Sequence, residues 1–174
     1  MNILILNGSP RLNGNTKKMI AAFTEGASTK GHKIDVVDVA KKKINGCQAC
    51  EYCHTRGNGQ CIQKDDMQEI YDLLKTADML VLASPIYYHN VSGQLKCAID
   101  RFYAAAYPSR PPALKKVATL LSSGASGVYD GAKYSFDNDF VGYLGLENAG
   151  VITAAGNVSS KKIEECRLLG ASLK

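Results

Sequence analysis

The residues Asn7-Gly8-Ser9-Pro10-Arg11-Leu12-Asn13-Gly14-Asn15-Thr16 separate two regular patterns. Before them an apolar run, Ile3 to Leu6, stops abruptly. After them a helical spacing begins, with Met19, Ile20, Phe23 and Ala27 on one face. A loop that leaves a strand and opens a helix offers unpaired backbone N–H groups at the positive end of the helix dipole. Ser9, Asn13, Asn15 and Thr16 add neutral donors, and Arg11 adds a cation. Such a loop is suited to a phosphate. The dipole itself contributes only ~0.3–1 kcal/mol, so hydrogen bonds must supply most of the grip. The same residues also describe an empty, capped turn, because Asn and Thr are ordinary N-caps. No Gly-Lys-Ser/Thr closes the loop and it holds no GxGxxG, which argues against an NTPase and against a dinucleotide fingerprint.

Outward from this loop the chain alternates. Residues 2–6 are wholly apolar, as in a strand buried on both faces of a parallel sheet. Helix is expected at 15–29, and residues 33–39 alternate like an edge strand. A long irregular connection follows, about 40–64. The acidic pair Asp65-Asp66 suits the start of a second helix, with Met67, Ile70, Tyr71 and Leu74 on its face. Residues 79–83 form a second buried strand and 84–91 a loop. Helix at 92–105, strand at 116–121, a loop at 122–131, helix at 132–147, strand at 150–154 and helix at 160–172 complete the chain. Five strands alternating with five helices specify an α/β fold, a doubly wound parallel sheet covered on both faces by right-handed crossovers. The 174 residues fit a single domain, 1–174, with a cysteine-containing insertion at 44–64. Ligands of such sheets bind outside the carboxyl ends of the strands. The loops at 7–16, 84–91 and 122–131 all follow strands, so they gather at that end.

Ser84-Pro85-Ile86-Tyr87-Tyr88-His89-Asn90-Val91 is unusually apolar and aromatic for a connection. Pro85 fixes its own φ and restrains Ser84. The stiff aromatic wall suits a planar conjugated ligand; alternatively the tyrosines pack on neighbouring helices or at a dimer interface. A planar ring beside a phosphate loop describes flavin mononucleotide (FMN).

Cys47-x-x-Cys50-x-x-Cys53, followed by Cys61, is a compact set of four thiols in the long connection. It suits a [4Fe–4S] cluster or a structural zinc, and free thiols or a disulfide remain open. Lys41, Lys42 and Lys43 just upstream either lower the thiol pKa values or form a solvated turn. Cys97 and Cys166 stand alone on expected helices and read as packing residues.

Gly8-Ser9-Pro10-Arg11…Gly14-Asn15-Thr16, Asp65-Asp66-Met67, Ser84-Pro85-Ile86-Tyr87 and Gly93-Gln94-Leu95-Lys96…Asp100-Arg101-Phe102 together resemble the flavodoxin-fold NAD(P)H-dependent FMN reductase family. The likeness in motif covers roughly the first 103 residues; the remainder matches by architecture. It implies a flavodoxin-like strand order of 2-1-3-4-5. It implies FMN phosphate contacts for Ser9, Arg11, Asn13, Asn15 and Thr16, and isoalloxazine contacts for Pro85, Ile86, Tyr87, Tyr88 and Asn90. Ser123, Gly124 and Tyr129 are carried over by topology, in a loop closing over the ring or ribityl chain. The cysteine segment resembles the iron-sulfur flavoprotein branch, in which electrons pass between a cluster and FMN. The seven residues before Cys61 make its spacing long for that motif.

The resemblance implies an enzyme that moves electrons from NAD(P)H through FMN to a flavin, a quinone or a similar acceptor, small molecule or redox protein. An iron-sulfur flavoprotein and a non-catalytic flavin-binding or regulatory module are the competing readings. It also implies a homodimer or homotetramer, with Tyr103, Tyr107 and the Pro-rich turn at 108–112 as candidate contacts. The net charge of +5 is scattered in short clusters without interleaved aromatics, which argues against nucleic acid. No apolar stretch nears the ~18 residues of a membrane span, and no leader is visible, so a cytoplasmic protein is expected.

Overall fold

The computed structural model describes residues 1–174. Five strands lie parallel: β1 (Asn2–Asn7), β2 (Lys33–Val37), β3 (Met79–Tyr87), β5 (Lys116–Ser123) and β6 (Glu147–Ala155). Their order across the sheet is β2-β1-β3-β5-β6. A short strand β4 (Asn90–Val91) pairs antiparallel with the end of β3. Apart from the number that β4 takes, this is the expected order, with β2 on an edge as its alternation implies.

β1 is apolar throughout because both its faces are covered. Ile3 and Ile5 point into one core, with Met19, Ile20 and Phe23 of α1 (Asn15–Ser28) and Cys166 of α6 (Ser160–Ser172). Leu4 and Leu6 point into the other. There they meet Met67, Ile70 and Leu74 of α2 (Met67–Leu74) and Leu95 and Ala98 of α3 (Gly93–Asp100). Each fully buried Leu, Ile or Phe contributes about 1.5–3 kcal/mol. α1 and α6 pack backbone to backbone at two glycines. A Cβ on Gly26 would lie 1.9 Å from Arg167 O, and one on Gly170 would lie 2.2 Å from Phe23 O. Burial pushes the Cys166 thiol up to about 11, in keeping with a packing role.

Several boundaries differ from expectation. β3 does not stop at residue 83 but continues to Tyr87, and the expected loop 84–91 is largely a β-hairpin. Its register pairs Ile86 with Val91 and Tyr87 with Asn90, leaving Tyr88 and His89 as a two-residue turn. The strand signal was masked because Ser84 and Pro85 look like turn residues; Pro85 is accommodated near the end of the strand. The helix expected at 92–105 ends at Asp100, and a short α4 (Phe102–Ala105) follows Arg101. The helix expected at 132–147 is α5 (Asp130–Ser135) continued by a π-helical segment, Phe136–Tyr143. β6 starts earlier than expected, at Glu147, which pairs with Lys116, and Ala149 bulges out between the Val117–Asn148 and Ala118–Gly150 pairs.

Candidate functional site

The parallel strands bring four loops to one edge of the sheet, around a cleft of about 440 Å³. Ser9, Arg11, Gly14, Asn15 and Thr16 form one wall. Pro85, Ile86 and Tyr87 from the end of β3 form another. Ser122, Ser123 and Gly124 close it from β5, and Gly156 and Asn157 from beyond β6. No carboxylate lines the cleft. Arg11 is exposed and has no ion-pair partner, so its charge is available to an anion. The volume lies within the ~300–1,000 Å³ typical of small-molecule and cofactor sites.

The first loop is held from within. The Ser9 N–H donates to Asn7 Oδ1 at 3.0 Å, and the Arg11 N–H donates to Ser9 Oγ at 3.3 Å. Asn7 Nδ2 in turn donates to Asp38 Oδ1 at 2.8 Å. α1 begins after Gly14 with no side-chain cap, and its first hydrogen bond within the helix runs from Lys18 N to Gly14 O. The N–H groups of Asn15, Thr16 and Lys17 therefore have no intrahelical partner.

Thr16 Oγ1 and Ser122 Oγ lie 2.8 Å apart, both buried. They join the first and third loops at the cleft floor. Asn15 acts differently from a simple phosphate donor. Its Nδ2 donates to Gly156 O at 2.6 Å, and its Oδ1 accepts from Val158 N at 3.4 Å. Asn15 thus fastens the fourth loop to α1.

Asn13, Tyr88, Asn90 and Tyr129 lie outside the lining. Asn90 Oδ1 caps its own turn by accepting from Val91 N at 2.8 Å. Tyr88 is fully exposed at the hairpin tip, where Tyr88 and His89 adopt φ of 47° and 65°. Tyr129 is buried behind the third loop, with its hydroxyl 2.7 Å from Ser123 Oγ. Ser122, which opens the expected loop 122–131, lines the cleft, and so do Gly156 and Asn157, which belong to none of the three expected loops. The rule that loops after strands converge also applied to the last strand and would have found Gly156-Asn157.

α3 ties this cleft to the cysteine loop. At its start, Ser92 Oγ donates to Gly8 O at 2.7 Å and the Ser92 N–H donates to Ser84 Oγ at 2.9 Å. Gly8 permits this approach, since a Cβ there would lie 2.6 Å from Ser92 Oγ. Just past its end stands Arg101, whose guanidinium holds Asp65 and also donates to Asn45 O at 3.0 Å. Asn45 and Asp65 flank the cysteine loop, and the Asn45 N–H donates to Asp65 Oδ2 at 3.1 Å. Outside this pair, the Lys43 N–H donates to Asp66 Oδ2 at 2.7 Å; inside it, Gln63 Nε2 donates to Gly46 O at 3.1 Å. The neck of the loop is laced shut.

Within that neck Cys47, Cys50, Cys53 and Cys61 line one small cavity together with Arg101 and Tyr103. Cys53 is buried; Cys47 and Cys50 are exposed. Burial pushes the Cys53 thiol up, and the neighbouring Cys61, Cys47 and Cys50 add to the effect. Lys41 and Lys42 do not offset it, since they pair with Asp38 and Glu69. No three His, Cys, Asp or Glu side chains converge as ligands of a single metal ion. Four sulfurs around one small cavity are the donor chemistry of a four-iron cluster or of a tetrahedral zinc.

Residues 1–154 match the family described as NADPH-dependent FMN reductase. The chain belongs to this family. Among curated proteins it is 41% identical over 104 residues to an iron-sulfur flavoprotein of Archaeoglobus fulgidus, covering 60% of this chain and 46% of that one. It is 37% identical over 127 residues to an iron-sulfur flavoprotein of Methanosarcina thermophila, covering 72% and 64% respectively. The chain spans about half the length of curated relatives such as this Archaeoglobus protein. In fold it is similar to the NAD(P)H:quinone oxidoreductase of Methanothermobacter marburgensis, with a TM-score of 0.79 and 21% identity, over 100% of this chain and 96% of that one. The strand order β2-β1-β3-β5-β6 is flavodoxin-like, and the cleft lies at the carboxyl ends of the strands, where ligands of such sheets bind.

Proposed function

We propose that the chain is an FMN-dependent oxidoreductase that takes electrons from NAD(P)H and passes them to a flavin, a quinone or a similar small acceptor. The observation that carries this reading is the cleft itself. An uncapped helix N-terminus, a free Arg11 and the hydroxyl- or amide-bearing side chains of Ser9, Asn15, Thr16, Ser122, Ser123 and Asn157 line it without any carboxylate, beside the β3–β4 hairpin. Bound FMN would supply the two-electron chemistry; the protein supplies position and environment. Ser9, Arg11, Thr16 and the N–H groups at the start of α1 would hold the phosphate. Asn15 keeps the Gly156 loop in place beside it. Pro85, Ile86 and Tyr87 would form a stiff wall for the ring, backed by Leu121 and Tyr129 in a small apolar cluster. Ser123 and Gly124 would close the cleft opposite them, near the ribityl chain. Asn13, Tyr88 and Asn90 are assigned to the rim.

A second reading, electron transfer between a [4Fe–4S] cluster and FMN, is favoured by the four cysteines around one cavity. We extend the reading to a cytoplasmic homo-oligomer acting as one domain. Its support is that no helix is long and apolar enough to cross a membrane, and that Tyr103 and Tyr143 form an exposed aromatic face on which His54 stacks at 3.8 Å from Tyr103.

Anaerobically purified protein tests these readings together. FMN bound in one equivalent, with NAD(P)H oxidation in the presence of a quinone, is the expected result. Binding without turnover would leave a flavin-binding module instead, and no binding would sink the flavin reading. About four irons and four sulfides per chain, lost when Cys53 is replaced by Ala, is the expected result for the cluster; iron-free protein would refute it.

A further inference from the structure

A second cleft, about 460 Å³, is as large as the first and shares no residue with it. It lies between α2, the last part of the cysteine loop and the segment from α4 to Pro111. One of its wall residues is Cys61, which also lines the cysteine cavity.

Its chemistry is one-sided. Lys64 and Lys75 line it, and no Asp or Glu does. Lys64 has no ion-pair partner. Lys75 pairs with Asp72 at 2.6 Å, but that pair is exposed and Asp72 stands outside the cleft. Lys64 is therefore the unpaired cation of the cleft, and Lys75 shares its charge with Asp72.

The apolar side is held in place by hydrogen bonds. Leu74, Ala104 and Ala105 provide small aliphatic surface, and the Tyr71 ring stands among them. Tyr71 is not free to turn away. Its hydroxyl donates to Arg101 O at 3.1 Å and accepts from Arg101 Nε at 3.3 Å, so its bonding capacity is used. Burial pushes its pKa up to about 12, which keeps it neutral and adds no negative charge to the cleft. At the far wall the backbone of Gly59, at φ +83°, approaches Tyr107 so closely that a Cβ would lie 2.8 Å from its carbonyl oxygen.

We propose that this cleft is a second small-molecule site, for a planar aromatic anion: an aryl carboxylate or sulfonate of one or two rings. The ring would lie along Tyr71 and the small aliphatic residues, and the acid group would meet Lys64 and Lys75. A divalent cation is excluded by the absence of carboxylates. A neutral ring would forgo both lysines. The occupant would sit against Cys61, so it would report on, and respond to, the state of the cysteine loop. The site rests on no part of the flavin reading.

The test is a titration of naphthalene-2-sulfonate into ¹⁵N-labelled protein, with and without added FMN, followed by amide shifts. Shifts centred on Gln60, Lys64, Gln68 and Ala105, unaffected by FMN, are expected. Lys64→Glu, at an exposed position, should weaken binding about tenfold, and Ala105→Trp should fill the cleft and abolish it. Neutral 2-naphthamide should bind at least fivefold more weakly than the sulfonate. Shifts confined to Ser9, Thr16 and Gly156, or none at millimolar ligand, would overturn the site. Equal affinity for the neutral compound would overturn the assignment of an anion.

Discussion

Arg101 and Asp65 meet in a two-point ion pair at the neck of the cysteine loop, Nη1 to Oδ2 at 2.8 Å and Nη2 to Oδ1 at 3.2 Å. The arginine side chain is 1% exposed and the aspartate side chain 9%. Removing one partner of such a pair strands the other charge. Arg101→Leu is therefore expected to cost about 3–5 kcal/mol, whereas Arg101→Leu combined with Asp65→Leu should cost much less. Urea denaturation of the two single variants and the double variant, read as a cycle, measures the coupling. Additive losses would show that the pair does not act as a unit.

The same pair predicts an acid limit. Burial alone would raise the Asp65 pKa, but hydrogen bonds from Arg101 and from the Asn45 and Met67 amides outweigh it and hold the carboxyl below the usual range. On acidification the unfolded chain therefore binds this proton first. Stability from Asp65 is complete above the ordinary aspartate value of about 3.9 and is lost as pH falls through the lowered folded value. Asp65→Asn should remove that component of the loss between about pH 4 and lower pH, measured as the slope of unfolding free energy against pH.

At the hairpin tip, Tyr88 and His89 both hold positive φ, the conformation that favours Asn-Gly in two-residue hairpins. Non-glycine residues held there store about 1 kcal/mol or more each. Replacing Tyr88-His89 with Asn-Gly should raise the melting temperature by about 2–4 °C per kcal/mol recovered. If Tyr88 serves the acceptor at the cleft rim, KM for a quinone should rise in the same variant. A stabilised variant with unchanged KM would remove Tyr88 from the site.

Thr16 and Asn15 should differ although they are adjacent. Thr16→Ala removes a buried hydroxyl beside the proposed phosphate position and unpairs Ser122 Oγ. FMN affinity should fall by about 1.5–3 kcal/mol, the value of a hydrogen bond to a charged group. Asn15→Ala releases the Gly156–Val158 segment instead, so its principal effect should be greater amide exchange in that segment, with a smaller loss of affinity. Isothermal titration and hydrogen exchange separate the two.

The sheet was legible because its signals are local: continuous apolar runs at β1 and β3, alternation at β2, and punctuation between them. Ser9, Arg11, Thr16 and Pro85 to Tyr87 could be read as neighbours because loops after parallel strands must converge. What local pattern could not convey were partners in space. Asn15 looks like a free donor, and only the fold shows its amide spent on Gly156. Arg101 belongs to the Asp100-Arg101-Phe102 motif and to an expected helix interior, but nothing local shows that it is the largest fully buried side chain in the molecule or that Asp65 is its partner. Tyr88 lies in an aromatic run, but a two-residue turn rotates it out of the cleft that Tyr87 faces.

α3 carries one further consequence. Ser92 is anchored to the first loop at Gly8 and Arg101 to the cysteine loop, and the nine steps of about 1.5 Å between them set a spacing of roughly 14 Å. Adding or deleting one residue in that helix would also rotate Arg101 by about 100° relative to Ser92. Only one of the two anchorages would survive. The helix is thus a ruler of fixed length, and the segment between Gly46 and Gln63 is held at a set distance from the first cleft by its neck and by Tyr103, on which His54 stacks.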